Sequence, residues 1–227
     1  MTEVTLHERL EDVPEDGDRD GAAYVVIDVI LGSTTIVHLL DRGAAEVVPL
    51  ESEDAAFALR DERDDIVLVG ESGGYPIEGF DTGPLPSAID DHDVADRPVG
   101  ILTTNGTRAV HRVGTDAEIY VGSTVNAAAV ADRLEAAGHD EVHLVAAGRY
   151  GDSADEDTVG AELIRDHLRG GGPGDGDLDV YAERVRTSDT AEWLAGDLGV
   201  DGAVEHAVSF DATDTVPRLR DGAFVAD

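Results

Sequence analysis

The chain has 227 residues, long enough for a sizeable core, and 41% of them are apolar, which excludes a disordered acidic tail. Fifty Asp and Glu face sixteen basic residues, every one of them Arg, for a formal net charge of −34. That balance argues against DNA, RNA and anionic membranes as partners, and the lack of any Cys excludes disulfides, thiolate metal sites and cysteine nucleophiles. The acids are spread along the whole chain rather than gathered in blocks. So much like charge repels itself in dilute buffer, but at about 1 M salt the Debye length falls to roughly 3 Å and most of the repulsion is screened. The composition therefore reads as adaptation to a very salty cytoplasm. The first twenty residues are polar and acidic, and no apolar run approaches a membrane span, so a cytoplasmic location is expected.

Residues 1–20 read as an acidic N-terminal segment. Residues 21–169 carry alternating strand and helix signals, with strand-like runs at 23–28, 46–50, 66–69, 98–104, 117–121 and 141–147. Helix-like stretches fill 33–41, 52–61, 105–113, 124–137 and 156–169. Short β-branched runs alternating with helices predict an α/β fold, a mostly parallel sheet with helices on both faces. The long Gly-, Pro- and Asp-rich stretch at 70–96 reads as a functional loop. Residues 170–177 are a Gly-rich linker by composition, and 178–227 form a smaller C-terminal portion, with small helices over 178–209 packing on the core.

In parallel α/β sheets ligands bind beyond the carboxyl ends of the strands, and the polar residues of this chain gather there. Asp28 closes the first strand, and Ser33-Thr34-Thr35 opens the following helix. Glu71 with its Ser-Gly-Gly follows the third strand, and Thr103-Thr104-Asn105-Gly106-Thr107 the fourth. Gly122-Ser123-Thr124 with Asn126 follows the fifth, and Gly148-Arg149-Tyr150-Gly151 the sixth. Each segment on its own reads first as helix capping; their recurrence shifts the balance towards one shared site. Helix N-termini offer free N–H groups and a positive dipole end, so Thr104, Asn105, Gly106 and Thr107 form the best candidate anion cradle. Asp28, Glu71, Glu78 and Asp81 supply hard oxygen ligands of the kind magnesium takes, and a metal would offset their repulsion of a phosphate. With no Lys there is no P-loop. Asp28 is followed by Val29 and Ile30, without the second Asp that a haloacid-dehalogenase-type phosphatase would need.

These motifs resemble the 2-phosphosulfolactate phosphatase family. The resemblance runs from about Val25 to Pro217 and rests on Asp28 through Thr35, Glu71 through Gly74, Ile77 through Gly83 and, most specifically, Leu102 through Ala109. Gly122-Ser123 with Asn126-Ala127, Ala147 through Gly151, Glu156-Asp157 and Val216-Pro217 complete it. The resemblance implies a magnesium-dependent phosphatase of coenzyme M biosynthesis acting on 2-phosphosulfolactate, a small anionic phosphoester. On that reading Asp28, Glu78, Asp81 and Glu156 would be catalytic, and Asp28, Glu71 and Asp81 would hold Mg2+. Ser33, Thr34, Thr104 to Thr107, Ser123, Asn126 and Arg149 would bind substrate. Two departures stand out: Leu31 where the family has Arg, and Pro84-Leu85-Pro86 where it continues Asn-Ser-Pro. An anion-binding member without turnover, or a phosphatase with another substrate, remain alternatives. Homo-oligomerisation is compatible with this reading.

Overall fold

A computed structural model describes residues 2–14, 21–114, 117–198 and 202–227. Met1, residues 15–20 of the acidic segment and 199–201 of the C-terminal helical stretch lie outside the described residues. In chain order the strands are β1 (Glu3–His7), β2 (Ala22–Ile27), β3 (Glu46–Pro49), β4 (Val67–Ser72), β5 (Tyr75–Pro76) and β6 (Pro98–Leu102). They continue as β7 (Glu118–Gly122), β8 (Glu141–Ala146), β9 (Pro217–Arg220) and β10 (Ala223–Ala226). The helices are α1 (Gly32–Asp41), α2 (Glu53–Glu62), α3 (Pro86–Ile89), α4 (Gly106–Val113), α5 (Ala127–Ala137) and α6 (Asp155–Leu168), then α7 (Asp177–Arg186), α8 (Asp189–Trp193) and α9 (Gly202–Ala207).

The strands form one sheet in the order β1-β8-β2-β7-β9-β10-β3-β6-β4-β5. Strands β1, β8, β2 and β7 are mutually parallel, as are β3, β6 and β4. The β9–β10 hairpin joins these two groups, pairing antiparallel to β7 on one side and β3 on the other. Every residue of β2 is buried, as expected of a central parallel strand covered on both faces. Its side chains alternate between two clusters. Ala22, Tyr24 and Val26 join Ile36, Leu39, Val110 and Val113 of α1 and α4. Ala23, Val25 and Ile27 join Val130, Leu134, Leu163 and Ile164 of α5 and α6. The α/β sheet with helices on both faces is thus what the sequence predicts.

The C-terminal helices pack on the second face, through Val185 of α7, Ala191 of α8 and Ala203 and Ala207 of α9. Three segments differ from expectation. Residues 217–226 are strands inside the sheet, not an appendage to it. The N-terminal segment contributes β1, an edge strand paired to β8. The stretch at 70–96 holds β5 and α3.

Candidate active site

The carboxyl ends of β2, β4, β6 and β8 meet at one cavity of about 280 Å³. Asp28, directly after β2, is 4% exposed, and its carboxylate accepts backbone N–H groups from Gly32 and Gly106. Those glycines open α1 and α4, so two helix N-termini converge on one carboxylate, which their dipoles favour. The approach depends on the missing side chains: a Cβ on Gly32 or on Gly106 would lie 2.6 Å from Asp28 Oδ2. Burial nevertheless pushes the Asp28 carboxyl up to about 7, with the charges of Glu71 and Glu156 adding to the shift against those two hydrogen bonds.

Three further carboxylates line the cavity. Glu71, near the end of β4, accepts the Thr104 N–H on Oε1 at 2.6 Å. Its Oε2 accepts the Thr104 hydroxyl at 2.9 Å and the Gly74 N–H at 2.5 Å. Asp157, in the first turn of α6, accepts the Val29 N–H at 2.7 Å and the Gly148 N–H at 3.0 Å. It thereby ties the end of β2 to the end of β8. Burial first, then the charges of Asp28 and Glu156, hold its carboxyl well above the usual range. Glu156 is different: it is 2% exposed and lines the cavity, yet among the described residues its carboxylate has no hydrogen-bond or ion-pair partner. Arg149 is the sole Arg among the described lining residues. Its guanidinium stacks 5.0 Å from the Trp193 ring and 5.7 Å from the Tyr150 ring.

Of the residues singled out from sequence, the structure brings together Asp28, Glu71, Thr104, Asn105, Arg149 and Glu156 at the cavity. The expected anion cradle is arranged otherwise. The N–H groups of Thr104 and Gly106 hold the protein's own carboxylates, Glu71 and Asp28, and that of Thr107 donates to Thr103 Oγ1 at 3.2 Å. Ser33, Thr34, Thr107, Ser123 and Asn126 are buried and absent from the lining. Their polar atoms serve the strand–helix turns: Ser33 Oγ accepts the Asp28 N–H, and Thr34 Oγ1 lies 2.6 Å from Ser123 Oγ. The Thr107 hydroxyl donates to the Thr103 carbonyl. Asn126 accepts the Ser123 N–H and donates to the carbonyls of Val121 and Thr215. Asp81 accepts the Leu68 N–H and pairs with Arg60, and Glu78 is exposed; neither lines the cavity.

Sequence reasoning missed Ile30, Trp193 and Leu194 of the apolar lining, which Leu31, Pro84 and Leu85, singled out as departures from the family motifs, complete. Trp193 arrives from α8, between the Glu156-Asp157 and Val216-Pro217 motifs, and packs so closely over Gly74 that a Cβ there would overlap its ring. No strand-end pattern points to it.

The donor set can be tested against a metal. Among the described residues no three carboxylate or imidazole groups converge tightly enough to cage an ion. Magnesium does not need a cage; it binds through one or two carboxylates, keeping water and substrate oxygens. An unpartnered buried Glu156 beside Asp28, in a cavity with four carboxylates and one Arg, fits that mode.

A sequence profile described as 2-phosphosulpholactate phosphatase matches residues 8–222. The chain belongs to that family. A probable 2-phosphosulfolactate phosphatase of Deinococcus radiodurans is 35% identical over 87% of this chain and 88% of its own length. One of Thermotoga petrophila is 30% identical over 88% of this chain and 90% of its own. In this family member, both departures from the family pattern reach the cavity, since Leu31, Pro84 and Leu85 all line it.

Proposed function

We propose that this protein is a phosphoric monoester hydrolase that releases phosphate from 2-phosphosulfolactate or a close analogue, with Mg2+ as cofactor, in the salty cytoplasm of a halophile. A step in coenzyme M biosynthesis is the corresponding role. The observation that carries the reading is Glu156, a buried carboxylate without a partner, beside Asp28 in a cavity at the strand ends. Lining the cavity, that carboxylate is open to a cation of the kind that binds through one or two carboxylates.

Glu156 and Asp28 would hold the metal, which when bound would offset the charge of the phosphate and polarise its ester oxygens. Arg149, its planar fork steadied by Trp193 and Tyr150, would pair with an acidic group of the substrate. Thr104 and Asn105 belong to the lining, and Trp193 packs over Gly74 at its edge. Gly32, Gly106 and Thr104 donate to Asp28 and Glu71, which keeps both carboxylates fixed before substrate arrives.

The test is inorganic phosphate release from 2-phosphosulfolactate and related esters in multimolar KCl, with Mg2+ and with chelator. Release that requires Mg2+ supports the reading. A folded protein that binds these esters and releases no phosphate would instead be an anion-binding member of the family.

A further inference from the structure

The cavity is asymmetric in chemistry. Among its described lining residues the charged groups are Asp28, Glu71, Glu156, Asp157 and Arg149. A phosphate can be matched by a divalent cation on the carboxylates, and one further anionic group by Arg149. A third anionic group on the substrate has no cation left to meet. The neutral lining it meets instead has polar members, Thr103, Thr104 and Asn105, and an apolar side, Leu31, Leu85 and Trp193, which pack against the hydrophobic cluster built on α5 and α6. Backed by that cluster, these partly buried side chains form one apolar wall of the cavity. Placing an unpaired sulfonate against such a wall strips its water without replacement, whereas an aliphatic group gains by the same burial.

We infer that Leu31, Leu85 and Trp193 are specificity-determining residues that select a phosphomonoester bearing one carboxylate and a compact aliphatic substituent over the same ester bearing a sulfonate. The inference rests on the phosphatase reading and deepens it by naming the substrate class. The wall lies beside Arg149, whose guanidinium stacks on Trp193, so a carboxylate and an aliphatic group on neighbouring substrate carbons can be served together.

The experiment compares kcat/KM of the full chain, with Mg2+ in multimolar KCl, on 2-phospholactate, 2-phospho-4-methylpentanoate and 2-phosphosulfolactate. The aliphatic esters are expected to exceed the sulfonate by about tenfold or more, the scale on which hydrophobic pockets discriminate. In Leu31→Arg the ratio should fall by at least about tenfold, chiefly through a lower KM for the sulfonate, since a guanidinium now pairs with it. A wild-type preference for the sulfonate overturns the wall and leaves the phosphatase reading standing. No release from any ester overturns that reading and this inference with it. A folded Leu31→Arg protein with an unchanged ratio removes Leu31 from the wall; should that variant fail to fold, the wild-type order still decides.

Discussion

At the scale of single residues, the site depends on atoms that are absent. Gly106 lets an N–H reach Asp28, and an added Cβ would sit 2.6 Å from Asp28 Oδ2. Gly106→Ala should therefore cost about 1–3 kcal/mol of stability as overpacking. By displacing Asp28 it should also lower kcat by about 100-fold, the scale expected of a 1 Å misplacement; thermal unfolding and phosphate release check the two effects. Asn126 gives the opposite signature. Its amide bridges Ser123, Val121 and Thr215 away from the cavity, so Asn126→Ala should cost about 2–4 kcal/mol by orphaning buried partners. Activity per folded molecule should be nearly retained, which active-site titration against unfolding would show. The two positions look alike in the sequence, each in a short polar run just beyond a strand. Strand-end position located the site through Asp28, Glu71 and Arg149, because loop geometry is local to each βα unit. It could not separate residues aimed at the ligand from those spent inside the turn, because that depends on where neighbouring turns come to lie. The carboxylates likewise could not be ranked: Asp81 and Glu156 are equally acidic in sequence, and only the fold gives one an Arg and leaves the other bare.

At the scale of elements, the βα repeats were legible because the strands carry short apolar runs and several helices have a cap or a stop. Ser52 accepts the Ala55 N–H at the start of α2, and Gly138 ends α5 with φ 73°. The sheet order was not legible, since pairing partners lie far apart in sequence and the hydrophobic pattern is common to all of them. The β9–β10 hairpin shows the difficulty. Its Asp221-Gly222 turn is a recognised hairpin signal, but nothing local says that it inserts between β7 and β3. Both turn residues have positive φ, 51° and 85°, and a Cβ on Gly222 would meet open space. Gly222→Val therefore isolates backbone strain from packing. It should lower stability by about 1–3 kcal/mol, read from denaturant midpoints at constant m-value. Because this hairpin bridges the two parallel groups, the loss should appear in one cooperative transition and not as fraying of one edge.

For the whole molecule, charge and burial set the conditions under which it stays folded. With a net charge of −34, self-repulsion opposes the compact state and is screened within about 3 Å at roughly 1 M salt. The thermal midpoint should therefore climb as KCl rises from dilute to molar concentration, and a flat response would show that the surface acids do not repel appreciably. In high salt that term is muted, which leaves buried and half-buried groups of opposite sign: the raised Asp28 and Asp157 carboxyls favour the fold as pH falls, and the lowered His7 and His206 imidazoles oppose it. His206 is held below its ordinary value first by burial and then by the His38 ring, with Asp90 and Asp41 pulling the other way. His7, lying 3.0 Å from the His143 ring nitrogen, is lowered by burial and by His143, against Asp12. For both groups the unfolded chain takes up protons at a higher pH than the folded one. Their contribution is thus complete above the unfolded value of about 6.5 and is lost as pH falls through the lower folded values. Unfolding midpoints in multimolar KCl should therefore separate as pH is lowered from 7 toward 5, the His7→Gln/His206→Gln double variant gaining on the wild type. An equal slope in both proteins would assign the acid sensitivity to other groups.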